Sequence, residues 1–157
     1  MGSIDSHLPV LKKVLETIPA PGNILEFGCG DYSTPTILSA GHNLISVEQQ
    51  DPDWLSYVAK TYGNHRWIGV LAIGPLAYRR LTWSGPYDLI IVDGHGESRP
   101  EVINSIIMGH LATKIIIHDT QQPTYGWGRV KKEDGWLNQT YKPEDGSPWT
   151  TTMWYSP

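Results

Sequence analysis

Apolar residues recur at helical spacing over Leu8, Leu11, Val14, Leu15 and Ile18, and Pro19-Ala20-Pro21-Gly22 ends the run, so a helix is expected within residues 1–20. The period then changes. Five short runs are apolar almost throughout: Asn23 to Phe27 (NILEF), Leu44 to Glu48 (LISVE), Arg66 to Leu71 (RWIGVL), Tyr87 to Asp93 (YDLIIVD) and Lys114 to His118 (KIIIH). Runs of this length without polar alternation suit strands covered on both faces. Segments of helix length lie between them at about 33–40, 52–62, 75–82 and 99–110, the last opening on Pro100, which fits a first-turn position. This alternation predicts an α/β fold: a doubly wound, mostly parallel sheet with helices on both faces. Gln121 to Gly146 is less regular and rich in Gly, Pro and charge, whereas Trp149 to Tyr155 (WTTTMWY) has the β-branched and aromatic content of a last strand, expected antiparallel at an edge.

At 157 residues and 17.6 kDa the chain is expected to be one domain, 1–157. Its net charge is −4 and no basic run exceeds Lys131-Lys132, which argues against nucleic acid as a partner. No stretch approaches the roughly 18 apolar residues of a membrane span. The start, MGSIDSHLPVLKK, lacks the basic-then-apolar layout of a signal peptide, so a cytoplasmic protein is expected with no membrane partner. The one cysteine, Cys29, fits a reducing compartment. Seven Trp and eight Tyr stand against one Phe, and rings with a polar handle suit half-exposed sites.

In sheets of this class a ligand lies beyond the carboxyl ends of the strands. Those ends carry Glu26 to Ser33, Glu48-Gln49, Asp93 to Gly96 and His118 to Thr120; the third run ends in apolar Leu71-Ala72. In the first loop, Gly28 and Gly30 allow a tight turn and close approach of backbone to a ligand. Ser33 stands where a dinucleotide fingerprint would have its third glycine. Glu26 would repel a pyrophosphate and attract an ammonium. Glu48, at the end of the second run, is placed to accept hydrogen bonds from ribose hydroxyls. A nucleoside with a cationic amino-acid tail satisfies both acids.

The ordered set ILEFGCGDYST, ISVEQQDPDW and DLIIVDG, followed by His118-Asp119, resembles the class I S-adenosylmethionine-dependent methyltransferases, and particularly small bacterial-type members, over about residues 20 to 125. The resemblance implies a Rossmann-like sheet with S-adenosyl-L-methionine as cofactor. It places Glu26, Gly28, Cys29 and Gly30 around the methionine end, with Ser33 and Thr34 at the following helix start. Glu48 would hold the ribose and Gln49 would lie by the adenine. Asp93 would face the methionine moiety or the acceptor. Many members have an acid after the third strand for the adenine amino group; here the region reads GVLAIGP, so backbone around Leu71 and Ala72 would have to serve.

A sulfonium is already a good methyl donor, so a protein need supply only in-line positioning and, for a hydroxyl acceptor, a base. Asp93, His95, His118 and Asp119 are the candidates; His118 suits the base role and Asp119 could orient it. Asp93 and Asp119 also resemble the carboxylate pair of metal-dependent O-methyltransferases, but His-Asp-Thr at the fifth run's end makes a divalent metal the weaker reading. After the fourth run the chain reads VDGHGESRP and not Asn-Pro-Pro-aromatic, which favours an oxygen acceptor of a small molecule or saccharide. The stretch 121–148, with Tyr125, Trp127, Arg129, Trp136 and Tyr141, is the candidate acceptor side, and a homo-oligomer could complete a pocket with so little lid. His7, His42, His65 and His110 receive no role. A binding protein that has lost catalysis, and a different enzyme using the same cofactor, are the competing readings.

Overall fold

A computed structural model describes residues 7–73, 85–131, 135–142 and 150–156. Along the chain run α1 (Leu8–Leu15), β1 (Asn23–Phe27), α2 (Ser33–Ser39), β2 (Asn43–Glu48), α3 (Pro52–Tyr62), β3 (Trp67–Leu71), β4 (Leu89–Val92), α4 (Arg99–Met108), β5 (Lys114–His118), β6 (Leu137–Tyr141) and β7 (Thr151–Tyr155). They build one seven-stranded sheet in the order β3-β2-β1-β4-β5-β7-β6. The first five strands are parallel; β7 runs antiparallel to β5, and β6 antiparallel to β7. The fold is thus the Rossmann-like α/β arrangement expected, with its antiparallel strands gathered at one side.

The continuous apolar runs are explained by burial on both faces. Leu25, Phe27, Ile90, Val92, Ile115 and Ile117 pack with Val102, Ile103, Ile106 and Ile107 of α4. Their neighbours in sequence, Ile24, Leu89, Ile91 and Ile116, turn to the other face and meet Val10, Leu11, Val14 and Leu15 of α1 with Ile37 and Leu38 of α2. At roughly 1.5–3 kcal/mol for each fully buried aliphatic chain, these two layers fix the register of β1, β4 and β5, and a slip of one residue would exchange them.

The expected strand at 149–155 is present as β7, but it is an inner strand; the edge belongs to β6, inside a stretch expected to be irregular. β6 reads LNQTY and is largely exposed, so it has no apolar period to reveal it; its order comes from pairing with β7. The helix expected at 75–82 lies outside the described residues. Asp51 caps α3 through its side chain, accepting from the backbone N–H groups of Asp53 at 2.9 Å and Trp54 at 3.1 Å. Pro100 sits in the first turn of α4 as expected. Among the described residues no helix is long and apolar enough to cross a membrane.

Candidate functional site

The parallel strands β1, β2, β4 and β5 all end on one side of the sheet, and their polar end residues are brought together there. Gly28 leaves β1 with φ +87°, a conformation that costs a glycine little. A Cβ at Gly28 would lie 2.7 Å from the carbonyl oxygen of Asp93, so this turn lies directly against the end of β4. Gly30 differs: a Cβ there would meet nothing within 4 Å. No atom of the described residues explains the glycine at 30, and among them the space in front of it is open.

Glu26 is fully buried, and its carboxylate accepts hydrogen bonds from Ser33 Oγ, from Thr34 Oγ1 at 2.8 Å and from Ser46 Oγ at 2.7 Å. Burial pushes its pKa up to about 7, and the three hydroxyls only partly offset that rise. Ser33 and Thr34, expected at the helix start, are therefore turned inward onto Glu26, and the three residues brace the loop. Glu48 is also engaged: Oε1 accepts from the N–H groups of Gln50 at 2.8 Å and Asp51 at 3.2 Å, and the Cys29 thiol points to Oε2 at 3.7 Å. Burial, together with the nearby charges of Glu26 and Glu48, pushes the Cys29 thiol far up. It is a small buried group held as the neutral thiol.

Gln49 is buried and works as a latch. Its Oε1 accepts from the His95 N–H at 3.2 Å and its Nε2 donates to Ser98 Oγ at 3.3 Å, tying the end of β2 to the loop after β4. The same residue is the one expected by the adenine, and here its amide bonds protein groups on both sides.

Charge dominates the other half of the site. His118 Nδ1 and Asp93 Oδ1 are 3.0 Å apart, and His118 Nε2 faces Asp119 Oδ1 at 3.5 Å. The imidazole thus stands between two carboxylates, with Asp93 as its hydrogen-bonding partner and Asp119, expected to orient it, on the far side. Asp119 has φ +55°, a strained conformation for a non-glycine residue, and its Oδ1 is buried without a hydrogen bond. Burial alone would lower the pKa of His118; the Asp93 hydrogen bond and the charges of Asp93 and Asp119 raise it instead. Burial would raise that of Asp93, and His118 and Arg99 bring it down. Asp119 stays raised by burial.

Two residues given no role by the sequence complete this cluster. Arg99, 4% exposed, donates from Nε to the Gly94 carbonyl at 3.1 Å, from Nη1 to the His118 carbonyl at 2.7 Å and from Nη2 to Asp93 Oδ1 at 3.1 Å. Nη1 also lies 3.7 Å from Asp119 Oδ2. The guanidinium therefore neutralises the Asp93 and Asp119 carboxylates, which weighs against an oxygen-ligated cation held by that pair. His7, at the start of α1, is 3% exposed and packs edge-on against the His118 ring with centroids 4.7 Å apart. A single histidine ahead of a helix carries no motif; only the docking of α1 on the sheet places it here. Arg99 sits in VDGHGESRP, but a lone basic residue at a helix start has no spacing that marks it as a site residue.

Part of the stretch expected on the acceptor side does reach this region. Tyr125 lies under the Arg99 guanidinium, 4.6 Å from ring centroid to Cζ, and pairs edge-on with Trp127. Arg129 bonds the Glu97 carbonyl at 2.8 Å and the Glu101 carboxylate at 2.9 Å. Trp136 packs against the α4-side core and Tyr141 against the α1-side core. Residues 132–134 and 143–148 of the stretch lie outside the described residues. His95 begins the turn at Gly96–Ser98, whereas His65 and His110 are exposed; His42 Nδ1 accepts from the Gly22 N–H at 3.0 Å, a packing role.

No protein-family model matches the chain, and no curated protein matches its sequence. Solved structures do match. A candidate O-methyltransferase from Klebsiella pneumoniae shares 19% identity at a TM-score of 0.64, covering 99% of this chain and 97% of that one. An rRNA methylase from Streptococcus thermophilus shares 13% at 0.67, covering 99% and 98%. A 1,6-didemethyltoxoflavin-N1-methyltransferase from Burkholderia thailandensis, solved with its substrate and S-adenosylhomocysteine, shares 14% at 0.61, covering 97% and 79%. The chain has the fold of S-adenosylmethionine-dependent methyltransferases, as the ordered motifs led one to expect. These neighbours are named for oxygen, RNA and nitrogen methylation, so the fold leaves the acceptor open.

Proposed function

We propose that the chain is a single-domain S-adenosylmethionine-dependent methyltransferase that methylates a hydroxyl of a small molecule or saccharide. The observation that carries the reading is the abutment of the Gly28 turn on Asp93, whose carboxylate is paired to His118: a loop open at Gly30 and an acid–base pair meet at one spot. The fold of the neighbours and the motif order support the cofactor.

The residues present fit that cofactor. Gly28 and Gly30 would receive the methionine end in the space a Cβ at Gly30 would enter, and Glu48 would accept from ribose hydroxyls with the face of its carboxylate not occupied by backbone. Glu26 would act through the loop it braces and through its charge. When bound, the sulfonium supplies a transferable methyl group and leaves as a neutral thioether. The chain's own part is to hold the acceptor oxygen in line and to take its proton, at His118 Nε2 or at Asp119, while Asp93 and Arg99 fix the imidazole. An oxygen acceptor is preferred because Asp93-Gly94-His95 after β4 offers no amide-and-proline clamp for a planar amine. The net charge of −4 favours a small acceptor over nucleic acid, and a second copy of the chain could complete the lid.

Calorimetry with S-adenosylhomocysteine on the wild type and Glu48→Ala tests the cofactor. The variant loses the acceptor for ribose hydroxyls and should bind about 1.5–3 kcal/mol more weakly, the range for hydrogen bonds to a charged group. Equal affinities, or no heat from the wild type, would remove the reading. A screen of hydroxyl compounds with labelled cofactor then tests the acceptor class, and transfer confined to amines would correct it.

A further inference from the structure

We propose that His7, Asp93 and His118 form a binding site for one divalent transition cation of the zinc class. One ligand atom from each of the three lies within 4.8 Å of the other two, and all three come from separate elements: the start of α1, the end of β4 and the end of β5. Both histidines are buried. The proposal goes beyond methyl transfer and does not depend on it.

The chemistry of the set decides the ion. Two imidazole nitrogens and one carboxylate suit zinc, cobalt, nickel or iron, whereas magnesium and calcium call for oxygen ligands. His118 Nδ1 and Asp93 Oδ1 stand 3.0 Å apart across a shared proton. Two ligands of a tetrahedral ion at about 2.1 Å stand roughly 3.4 Å apart, so an ion can replace that proton with a small spreading of the pair. The proton of Nδ1 leaves to solvent and the nitrogen lone pair takes its place on the metal.

The surroundings are those of a ligand set. A metal-bound histidine commonly turns its second ring nitrogen to a carboxylate, and His118 turns Nε2 toward Asp119 Oδ1 at 3.5 Å. A ligating carboxylate is commonly held by a donor of its own, and Arg99 Nη2 holds Asp93 Oδ1 at 3.1 Å. That guanidinium lowers the charge of the site and counts against tight binding, which makes micromolar affinity a more fitting expectation than the nanomolar affinity of a structural zinc site. Asp93 is partly open, its side chain 25% exposed, which leaves a path for the ion and a fourth position for water or an acceptor oxygen.

The test is binding to the full chain after treatment with a chelator, read by equilibrium dialysis with Zn²⁺ and by the visible absorption of Co²⁺. One ion per chain, nitrogen-ligated cobalt bands, and no uptake of Mg²⁺ at the same concentration are expected. His7→Ala, His118→Ala and Asp93→Asn should each weaken binding by at least about 100-fold, more than the 10–100-fold typical of outer partners. His7→Gln guards against a loss of folding in the alanine variant, with thermal melts as the check, and exposed His65→Ala should bind as the wild type does. Sub-stoichiometric binding by the folded wild type, equal uptake of Mg²⁺, or full affinity in a folded His7 variant would overturn the proposal. None of these readings uses turnover, so failure of the metal site and failure of the methyl-transfer reading are separable.

Discussion

Two carboxylates about one strand apart, Glu26 fully buried and Asp93 partly open, are held in opposite ways. Glu26 on β1 is surrounded by the hydroxyls of Ser33, Thr34 and Ser46, and burial drives its pKa up to about 7. Asp93 beyond β4 meets His118 and Arg99, and despite burial its pKa goes down. Three neutral donors do not repay the desolvation of a charge, whereas two cationic partners do. The β1–β2 half of the site is therefore a cradle braced by hydroxyls, and the β4–β5 half is a cluster of paired charges. The first suits holding a ligand; the second suits moving a proton.

The sharpest way to break this division is to remove the proton acceptor. His118→Ala should lower turnover of an acceptor found by the screen by about 10²–10⁴, or 3–5 kcal/mol, while affinity for S-adenosylhomocysteine stays near that of the wild type. The imidazole must be neutral to accept a proton, and its pKa is raised because Asp93 and Asp119 favour the charged form over the opposing effect of burial. The rate should consequently rise with pH along a limb above the ordinary imidazole value of 6.5, and Asp93→Asn should move that limb to lower pH. Equal turnover in His118→Ala would assign the proton to Asp119 or to solvent.

Next in size is the loss of the cation that serves both strand ends. Arg99→Ala leaves Asp93 and Asp119 without their guanidinium and takes one donor each from the Gly94 and His118 carbonyls. Removing one partner of a buried charge network costs about 3–5 kcal/mol, and the partial exposure of Asp93 places the expectation near the lower end, about 3 kcal/mol in urea unfolding at neutral pH. A loss below about 1 kcal/mol would show the cluster to be solvent-screened, and the contrast with Glu26 would vanish.

Fold and cradle were legible because they obey local rules. Strands buried on both faces read as apolar runs, Asp51-Pro52 reads as a capped helix start, and Gly28-Cys29-Gly30 after an apolar run reads as a ligand-facing turn. What the sequence concealed depends on contacts distant along the chain. β6 is polar and exists by pairing with β7. His7 is separated from Asp93 and His118 by most of the sheet's sequence and reaches them through the apolar face of α1. Arg99 carries no local signal, and a helix N-terminus is an unfavourable place for a cation by the helix dipole alone; two carboxylates reverse that preference. Gln49 was legible as a strand-end residue, yet its direction was not, since a side chain's rotamer depends on the loop after β4.

The smallest effect tests the cradle. The carboxyl of Glu26 has the ordinary value of 4.5 in the unfolded chain and is pushed up to about 7 in the folded one, so between those values the folded state holds the proton more tightly. A raised folded pKa contributes stability that is complete below about 4.5 and is lost as pH rises through about 7. From pH 5 to pH 8 this amounts to about 2–3 kcal/mol at 1.36 kcal/mol per unit. His118, also raised, adds a loss of the same sign, while the lowered Asp93 acts in the acid range, so the wild-type curve alone does not isolate Glu26. Glu26→Gln keeps the size and lets the amide oxygen accept and the amide nitrogen donate to rotatable hydroxyls, but it carries no proton to lose. Urea unfolding of both proteins at pH 5 and pH 8 should therefore give a wild-type decline steeper than that of the variant by about 2–3 kcal/mol. Parallel declines would mean that Glu26 is ionised throughout the range, that its hydroxyl partners suffice to hold a buried charge, and that the two carboxylates differ in partners without differing in charge.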